Sequence, residues 1–387
     1  MEFSFKKICI EAPFPTTQCG HSCQTELIYE FKDHLYARAT GLKQDDTWII
    51  HLSLDLLAYD LEHKELLENK LRDFYKNDKL ILITSTTHTH YANSVRTNEY
   101  LDWLIPTLFE GITSMEYETR NNVSTTYQRV HTNAVGKSRI SGYETNNENL
   151  CLIRFYDDKE NFFNIIINNC HPTVLFANVP FFSAEYPGYV LKLLEAEYHT
   201  NFTFIQGAAG DISSRFVRDG QTYEDMVKLA TNLFLEAKEL MNKEVEKTPL
   251  KLIYNKKELE YKHDLSPVDT SHLRSDLTER ELETIRVGAE QRAKLDEKIS
   301  KNIFHLIKRA IVSSLDLGSV KIVFYPNEIF SEYMNLLDLD KTMLVSYSNG
   351  YGPYILPIDF PYVTYEMFMD TLTKETKQEI METIKTI

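Results

Sequence analysis

The chain has 387 residues, 43% of them hydrophobic and 26% charged, an ordinary globular composition with enough length for one large domain or two smaller ones. A formal net charge of -15 speaks against nucleic-acid phosphates and anionic membrane surfaces as partners, because both need basic patches. Met1–Lys7 lacks the apolar core of a secretory signal, no apolar run is long enough for a transmembrane segment, and five cysteines fit a reducing cytoplasm better than a disulfide framework.

Taken in chain order, Cys19-Gly20-His21-Ser22-Cys23 has the look of a metal knuckle. The chain offers no second cysteine pair to complete a tetrahedral zinc site, so Gly20 is read as serving a tight turn. His34–Ala39 and Trp48–Leu57 are β-rich runs joined by turn residues, which predicts a hairpin. Residues 59–77 carry apolar positions at helical spacing and lead into the apolar run Leu80–Ile83. Strand, helix, strand is an α/β beginning.

Glu144–Asn149 is a polar loop between strands of one sheet system. Asn164–Asn169 reads as a buried strand ending at His171, and Gly188–Tyr198 as a helix. Phe202–Ile205 reads as a strand ending at Gly207–Asp211, and residues 222–245 as an amphipathic helix. Residues 276–315 read as a long, charge-rich helical region, most simply a solvated helix face, and the best place for a lid or sub-domain. Strands return at Val320–Phe324 and Met343–Tyr347. There is no internal repeat, Pro/Ser linker or low-complexity segment. The expectation is therefore an α/β fold, a sheet core with flanking helices, in a single domain over residues 1–387.

Chemically capable residues stand just past apolar strands. His88 and His90 follow Leu80–Ile83, and Thr84 to His90 is the most informative stretch. Histidines one residue apart at a strand end point to the same side. His171, then Asp211 with Ser213, then Glu328 after Phe324–Asn327, repeat the layout. In α/β sheets, sites collect outside the carboxyl ends of strands. Two histidines and a carboxylate from distant segments can form an open zinc site with room for water or substrate. Singly, each has a plainer reading. His171 before Pro172 could cap a strand, Glu328 could pair with a surface lysine, and Ser213 could be a helix N-cap.

In this order the segments resemble the neutral/alkaline, non-lysosomal ceramidases, over their N-terminal catalytic domain. Ser85–His90 is similar to that family's T-H-T-H-S-G segment, and Asn169–Thr173 to its second histidine segment. Gly210-Asp211-Ile212-Ser213 resembles G-D-[VIM]-S-P, Tyr325–Glu328 resembles P-G-E, and Ser348–Ile355 resembles N-x-Y-x-x-Y-[IV]. Ala12–Pro15 with Gly20 fits the start, and the match runs from about residue 8 to residue 370.

The resemblance implies zinc held by His88, His171, Glu328 and a tyrosine, Tyr354 or, in the same segment, Tyr351. It implies His90 as the acid/base or substrate-polarising group. Arg139, in Lys137-Ser138-Arg139, becomes a substrate or oxyanion contact. Tyr365 becomes a hydrogen-bond donor to the oxyanion, and Ser213 the catalytic serine, as nucleophile or as orienting group. The implied reaction is hydrolysis of an N-acyl amide, ceramide or a smaller soluble amide, by zinc-activated water. The chain departs from the family in three places. Ser213 is followed by Ser214-Arg215 rather than Pro-Asn, His90 by Tyr91-Ala92-Asn93 rather than Ser-Gly-Pro, and a C-terminal immunoglobulin-like domain is not expected. A zinc esterase or other metallohydrolase on the same scaffold, and a non-catalytic ligand-binding relative, are the alternatives. Retention of His90, Arg139 and Tyr365 beyond the metal ligands speaks against the last.

Overall fold

The computed structural model describes residues 1–20, 26–145, 147–301 and 308–387. The His21–Cys23 part of the knuckle-like segment lies outside the described residues. Four strands, β1 (Glu2–Cys9), β2 (Tyr36–Gln44), β3 (Thr47–Leu54) and β4 (Ile81–Thr86), form a first sheet in the order β4-β3-β2-β1, with Glu118–Thr119 on its far edge. The hairpin of β2 and β3 is tighter than its turn residues suggest. Gly41–Gln44 stays in the strand, and the chain reverses at Asp45-Asp46, with Asp45 in the left-handed region (φ 51°). An Asp there tolerates the conformation better than most side chains.

The period of two along these strands sets the layers. Ile50, Leu52, Leu54 and Leu82 face one side, where helices α1 (Leu61–Tyr75) and α2 (Asn98–Thr113) bring Leu67, Leu71, Leu104 and Leu108. Ile49 and Ile83 face the other side. There they meet Ile165, Ile167 and Ile205 of a second sheet, in which β5 (Ser124–His131), β6 (Asn149–Tyr156), β7 (Asn161–Asn168) and β8 (Asn201–Gln206) run in the order β8-β7-β6-β5. The outer face of that sheet, with Ile166, Phe202 and Phe204, is covered by α3 (Glu185–Tyr198) and α4 (Tyr223–Met241). The result is helix, sheet, sheet, helix, a mixed-sheet α/β core with flanking helices.

A third sheet extends the central layer. It consists of β9 (Ile253–Glu260), β10 (Arg309–Asp316), β11 (Lys321–Phe324) and β12 (Thr342–Val345) in chain order. Helix α5 (Glu279–Ser300) precedes β10, and α6 (Tyr365–Met369) and α7 (Lys374–Thr386) close the chain. The helical reading of residues 276–315 thus needs correction at its end: Arg309–Asp316 is a strand. Ala310-Ile311-Val312 is an apolar, partly β-branched run, and it pairs with β9 on one side and β11 on the other. Helix α5 docks on α6, where Arg292 donates to the carbonyls of Phe368 and Asp370.

Each sheet contains one parallel pair: β3 with β4, β7 with β8, β11 with β12. Parallel partners end on the same side of their sheet, and here the three sets of C-terminal ends meet. Thr86 N–H donates to Tyr347 O (3.0 Å), Ser346 N–H to Gln206 O (3.0 Å), and Gly207 N–H to Asn168 O (2.9 Å). Asn349 locks the junction. Its N–H donates to Thr84 O (2.8 Å), its Oδ1 accepts from Thr84 N–H (3.2 Å), and its Nδ2 donates to Ser313 Oγ (2.9 Å). Asn349 is also left-handed (φ 58°).

Asn349→Ala removes two buried side-chain bonds and puts an alanine at positive φ. The expected loss is about 2–4 kcal/mol in urea unfolding. An unchanged midpoint would show that the junction does not depend on this residue.

Candidate active site

The side chains singled out from sequence stand at this junction. His88 follows β4 in the left-handed region (φ 61°), uncommon for a residue with a Cβ. The turn aims its ring inward, and its face stacks on Tyr347, centroids 3.9 Å apart and planes at 17°. His171 follows β7, and its N–H donates to Ile212 O (3.0 Å), which sets it beside Ser213. Glu328 lies on the short strand Asn327–Ile329, paired with Gly352–Ile355, and this brings Tyr351 and Tyr354 to it.

The second-atom contacts fix both histidines. His88 Nδ1 lies 2.8 Å from Leu57 O, and His171 Nδ1 lies 2.7 Å from Ala209 O. A carbonyl can only accept, so both Nδ1 atoms carry a proton, and both Nε2 atoms are turned to the centre. Glu328 Oε2 lies 3.0 Å from His171 Nε2 and 3.7 Å from His88 Nε2. Tyr351 OH donates to Glu328 Oε1 (2.5 Å), and Tyr354 OH reaches His171 Nε2 (3.4 Å).

Burial pushes the His88 imidazole down to about 3, so it is neutral at ordinary pH. Burial would push the Glu328 carboxyl up. The His88 and His171 imidazoles and the Tyr351 hydroxyl outweigh it and hold that carboxyl down at about 2. Two imidazole Nε2 atoms and a carboxylate converging at this spacing are donor types that hold a metal ion. The donor set therefore fits a metal ion. His90 adds to it: the ring nitrogens of His88, His90 and His171 all lie within 4.8 Å of one another, a group that could hold a metal.

The remaining residues surround this centre. His90 Nε2 is 3.4 Å from His88 Nε2, with the rings edge to face. Behind it lies Gly20, where any Cβ would fall inside the His90 side chain. Close approach to His90 requires glycine there. Arg139 is buried beside the site. It donates to Gly210 O (2.7 Å), pairs with Glu366 (2.9 Å), and faces the Tyr354 ring at 5.2 Å. Tyr365 meets Tyr354 edge to face at 6.1 Å, and burial, then Glu328 and Glu366, push its phenol up to about 12. Ser213 is buried next to His171, and its Oγ caps the following short turn by accepting from Arg215 N–H (3.4 Å), as its plainer reading held.

Asp211 turns away from the centre. Its carboxylate accepts from Ser331 N–H (2.6 Å) and Ser331 Oγ–H (2.8 Å), which ties the β8 end to the chain after Glu328. Gly210 beside it is required by contact, since a Cβ would come 2.8 Å from Glu328 O. Sequence reasoning did not single out Tyr347, which stacks on His88, or Glu366, which partners Arg139. For Glu366 a signal was available, because it directly follows Tyr365. For Tyr347 there was none, because its role comes from a ring face met only in the fold.

No protein-family model and no curated protein matches the sequence. Among solved structures, the fold is similar to neutral ceramidase from Pseudomonas aeruginosa, with a TM-score of 0.74 over 99% of this chain and 73% of that chain, at 12% identity. It is equally similar to a ceramidase complexed with C2, with a TM-score of 0.73 over 99% of this chain and 74% of that chain, also at 12% identity. The architecture is that of a neutral ceramidase.

Burial pushes the Asp211 carboxyl up from an ordinary 3.8 to about 6. A raised carboxyl pKa stabilises the fold below the unfolded value and loses that contribution as pH rises through the folded one. Stability should therefore fall by roughly 2 kcal/mol from this group between pH 4 and pH 6. Asp211→Asn keeps an acceptor for Ser331 N–H and does not titrate. Its urea midpoint should depend less on pH across that window, and a slope identical to wild type would refute the assignment.

Proposed function

We propose that this protein is a zinc-dependent hydrolase of the neutral ceramidase type that cleaves an N-acyl amide, ceramide or a smaller soluble one. The observation that carries this reading is the convergence of His88 Nε2, His171 Nε2 and Glu328 Oε2, with Arg139 and Tyr365 packed on the neighbouring Tyr354 ring. The shared architecture with ceramidases supports it.

In this reading His88, His171 and Glu328 hold the zinc, with Tyr354 as the fourth ligand and Tyr351 as its rival for that place. Zinc takes imidazole nitrogen and carboxylate oxygen in four-coordinate sites. When bound, it supplies a Lewis acid and makes a water acidic near neutral pH. The rest is done by the chain. His90, beside the ligands but outside them, moves a proton to the leaving amine. Tyr365, its phenol kept protonated to about 12, and Arg139, always charged, donate to the amide oxygen as negative charge develops there. Engagement of Ser213 Oγ with Arg215 N–H favours an orienting role over a nucleophilic one. Burial of His88, His171, Glu328 and Tyr354 strengthens the interactions made at the centre.

A three-histidine ligand set, His88, His90 and His171, is the competing arrangement, favoured by the mutual closeness of those nitrogens. We place the chain in the cytoplasm as a single catalytic domain. The four described cysteines, Cys9, Cys19, Cys151 and Cys170, are free, and among the described residues no helix is long and apolar enough to cross a membrane.

His171→Ala and His88→Ala should lose most of the zinc, measured by elemental analysis, together with turnover. His90→Ala separates the two ligand sets. It should keep near-stoichiometric zinc while turnover falls about 100- to 1,000-fold; loss of zinc would favour the three-histidine site. Tyr365→Phe should behave like His90→Ala. Ser213→Ala should retain slow turnover, and a trappable acyl-enzyme in wild type that disappears in this variant would make Ser213 the nucleophile. If zinc-loaded wild type cleaves no N-acyl amine of any chain length, the amidase reading falls.

A further inference from the structure

Arginines gather on one rim of the site without carboxylate partners. Ile212–Ser213 pairs with Lys137–Ser138, and the chain then makes the short turn Ser214–Phe216. Arg215 lies over the Phe216 ring at 5.3 Å, and Lys137 Nζ reaches the same ring at 6.0 Å. Arg218 Nη1 donates to Thr173 O (2.6 Å) and Val174 O (3.3 Å), just past His171. Arg280, exposed in the first turn of α5, is held at the same rim, because its neighbour Glu281 accepts from Ser141 Oγ–H (2.5 Å), two residues after Arg139. The charges sense one another: burial and then Arg280 lower Arg215, and burial and Arg280 lower Arg218.

Among the described residues, Arg215, Arg218 and Arg280 make no ion pair, whereas Arg139 has Glu366. The carboxylates near them are committed elsewhere. Glu281 is bound by Ser141 and Thr278, Glu366 by Arg139, and Glu185 by the N–H groups of Val174, Leu175 and Tyr186. Guanidinium groups brought together without carboxylate partners repel one another, and an anion seated among them relieves that repulsion. Guanidinium forks match planar or tetrahedral oxyanions.

We propose that Arg215, Arg218 and Arg280 seat an anionic group, a carboxylate, sulfate or phosphate, at the non-reacting end of the amide substrate. This deepens the hydrolase reading and rests on it. The substrate class becomes acidic N-acyl amides. Phe216, 43% exposed, offers an apolar contact beside the seat.

The test compares two amides sharing one acyl chain, an N-acyl glycine and an N-acyl ethanolamine, on zinc-loaded full-length protein. Wild type should show the lower KM for the acidic amide. Arg280→Gln, an exposed change that leaves the fold intact, should raise that KM about threefold, and Arg215→Gln/Arg280→Gln about tenfold. In both, the KM and kcat for the neutral amide should stay at wild-type values. Calorimetric titration with inorganic sulfate at constant ionic strength reads the seat without turnover. Sulfate should bind wild type and not the double variant. Sulfate binding to wild type alone, with neither amide cleaved, keeps the seat and removes the hydrolase reading. Equal KM values for the two amides, together with sulfate bound equally or not at all by both proteins, overturns the seat and leaves that reading intact.

Discussion

The junction between three sheet edges is the constraint on which the rest of the molecule depends. Residues Ser346 to Asn349 leave β12 and bond in turn to the ends of β8 and β4. Each of the converging side chains comes from a different one of these edges: His88 from the first sheet, His171 from the second, Glu328 from the chain leaving the third. No single sheet brings two of them together. The site exists because the parallel pairs of all three sheets end on one side and are stitched there by backbone hydrogen bonds together with the side chain of Asn349.

That stitching is also what lets the site carry strain. His88 (φ 61°) and Tyr347 (φ 52°) both sit in the left-handed region, where residues with side chains cost on the order of 1–3 kcal/mol each. Their rings stack face to face as a result. Holding His88 Nδ1 on Leu57 O and His171 Nδ1 on Ala209 O then turns both Nε2 atoms towards one carboxylate. Outer carboxylates serve the same end: Asp211 and Glu185 are spent on backbone N–H groups that position the loops after β8 and β7.

Around this buried centre the charges are graded. Nearest the metal-facing atoms stands Arg139, paired with Glu366 and lying over Tyr354. Further out are Arg215, Arg218 and Arg280, without ion-pair partners among the described residues. Helix α5, charge-rich in sequence, is largely the solvated face its charges suggest, and its first three turns reach the site. Glu281 is tied to Ser141, and Gly288 packs so closely on α6 that a Cβ would stand 3.1 Å from Tyr365 Cα.

Much of this was legible in the chain. Leu80–Ile83, Asn164–Asn169, Phe202–Ile205 and Val320–Phe324 announce buried strands by apolar runs, because a strand covered on both faces has no polar position to alternate with. The residues just after them, His88, His171 and Glu328, could be named as a candidate set for the same local reason: strand ends are where an α/β sheet exposes chemistry. Other features could not be read. The strand at Arg309–Asp316 was masked by the charged helix before it. Gly20 reveals its purpose only when His90 lies against it. The choice between Tyr351 and Tyr354, three residues apart, depends on register against Asn327–Ile329. Arg215, Arg218 and Arg280 are unremarkable in a sequence rich in charge until the fold shows that their carboxylate neighbours are already bound. Local pattern determined which segments are strands and which residue types stand at their ends, because burial acts on each segment separately. Tertiary structure decided which of those ends meet and which charges lack partners, because hydrogen bonds and ion pairs are made between segments up to 265 residues apart in sequence.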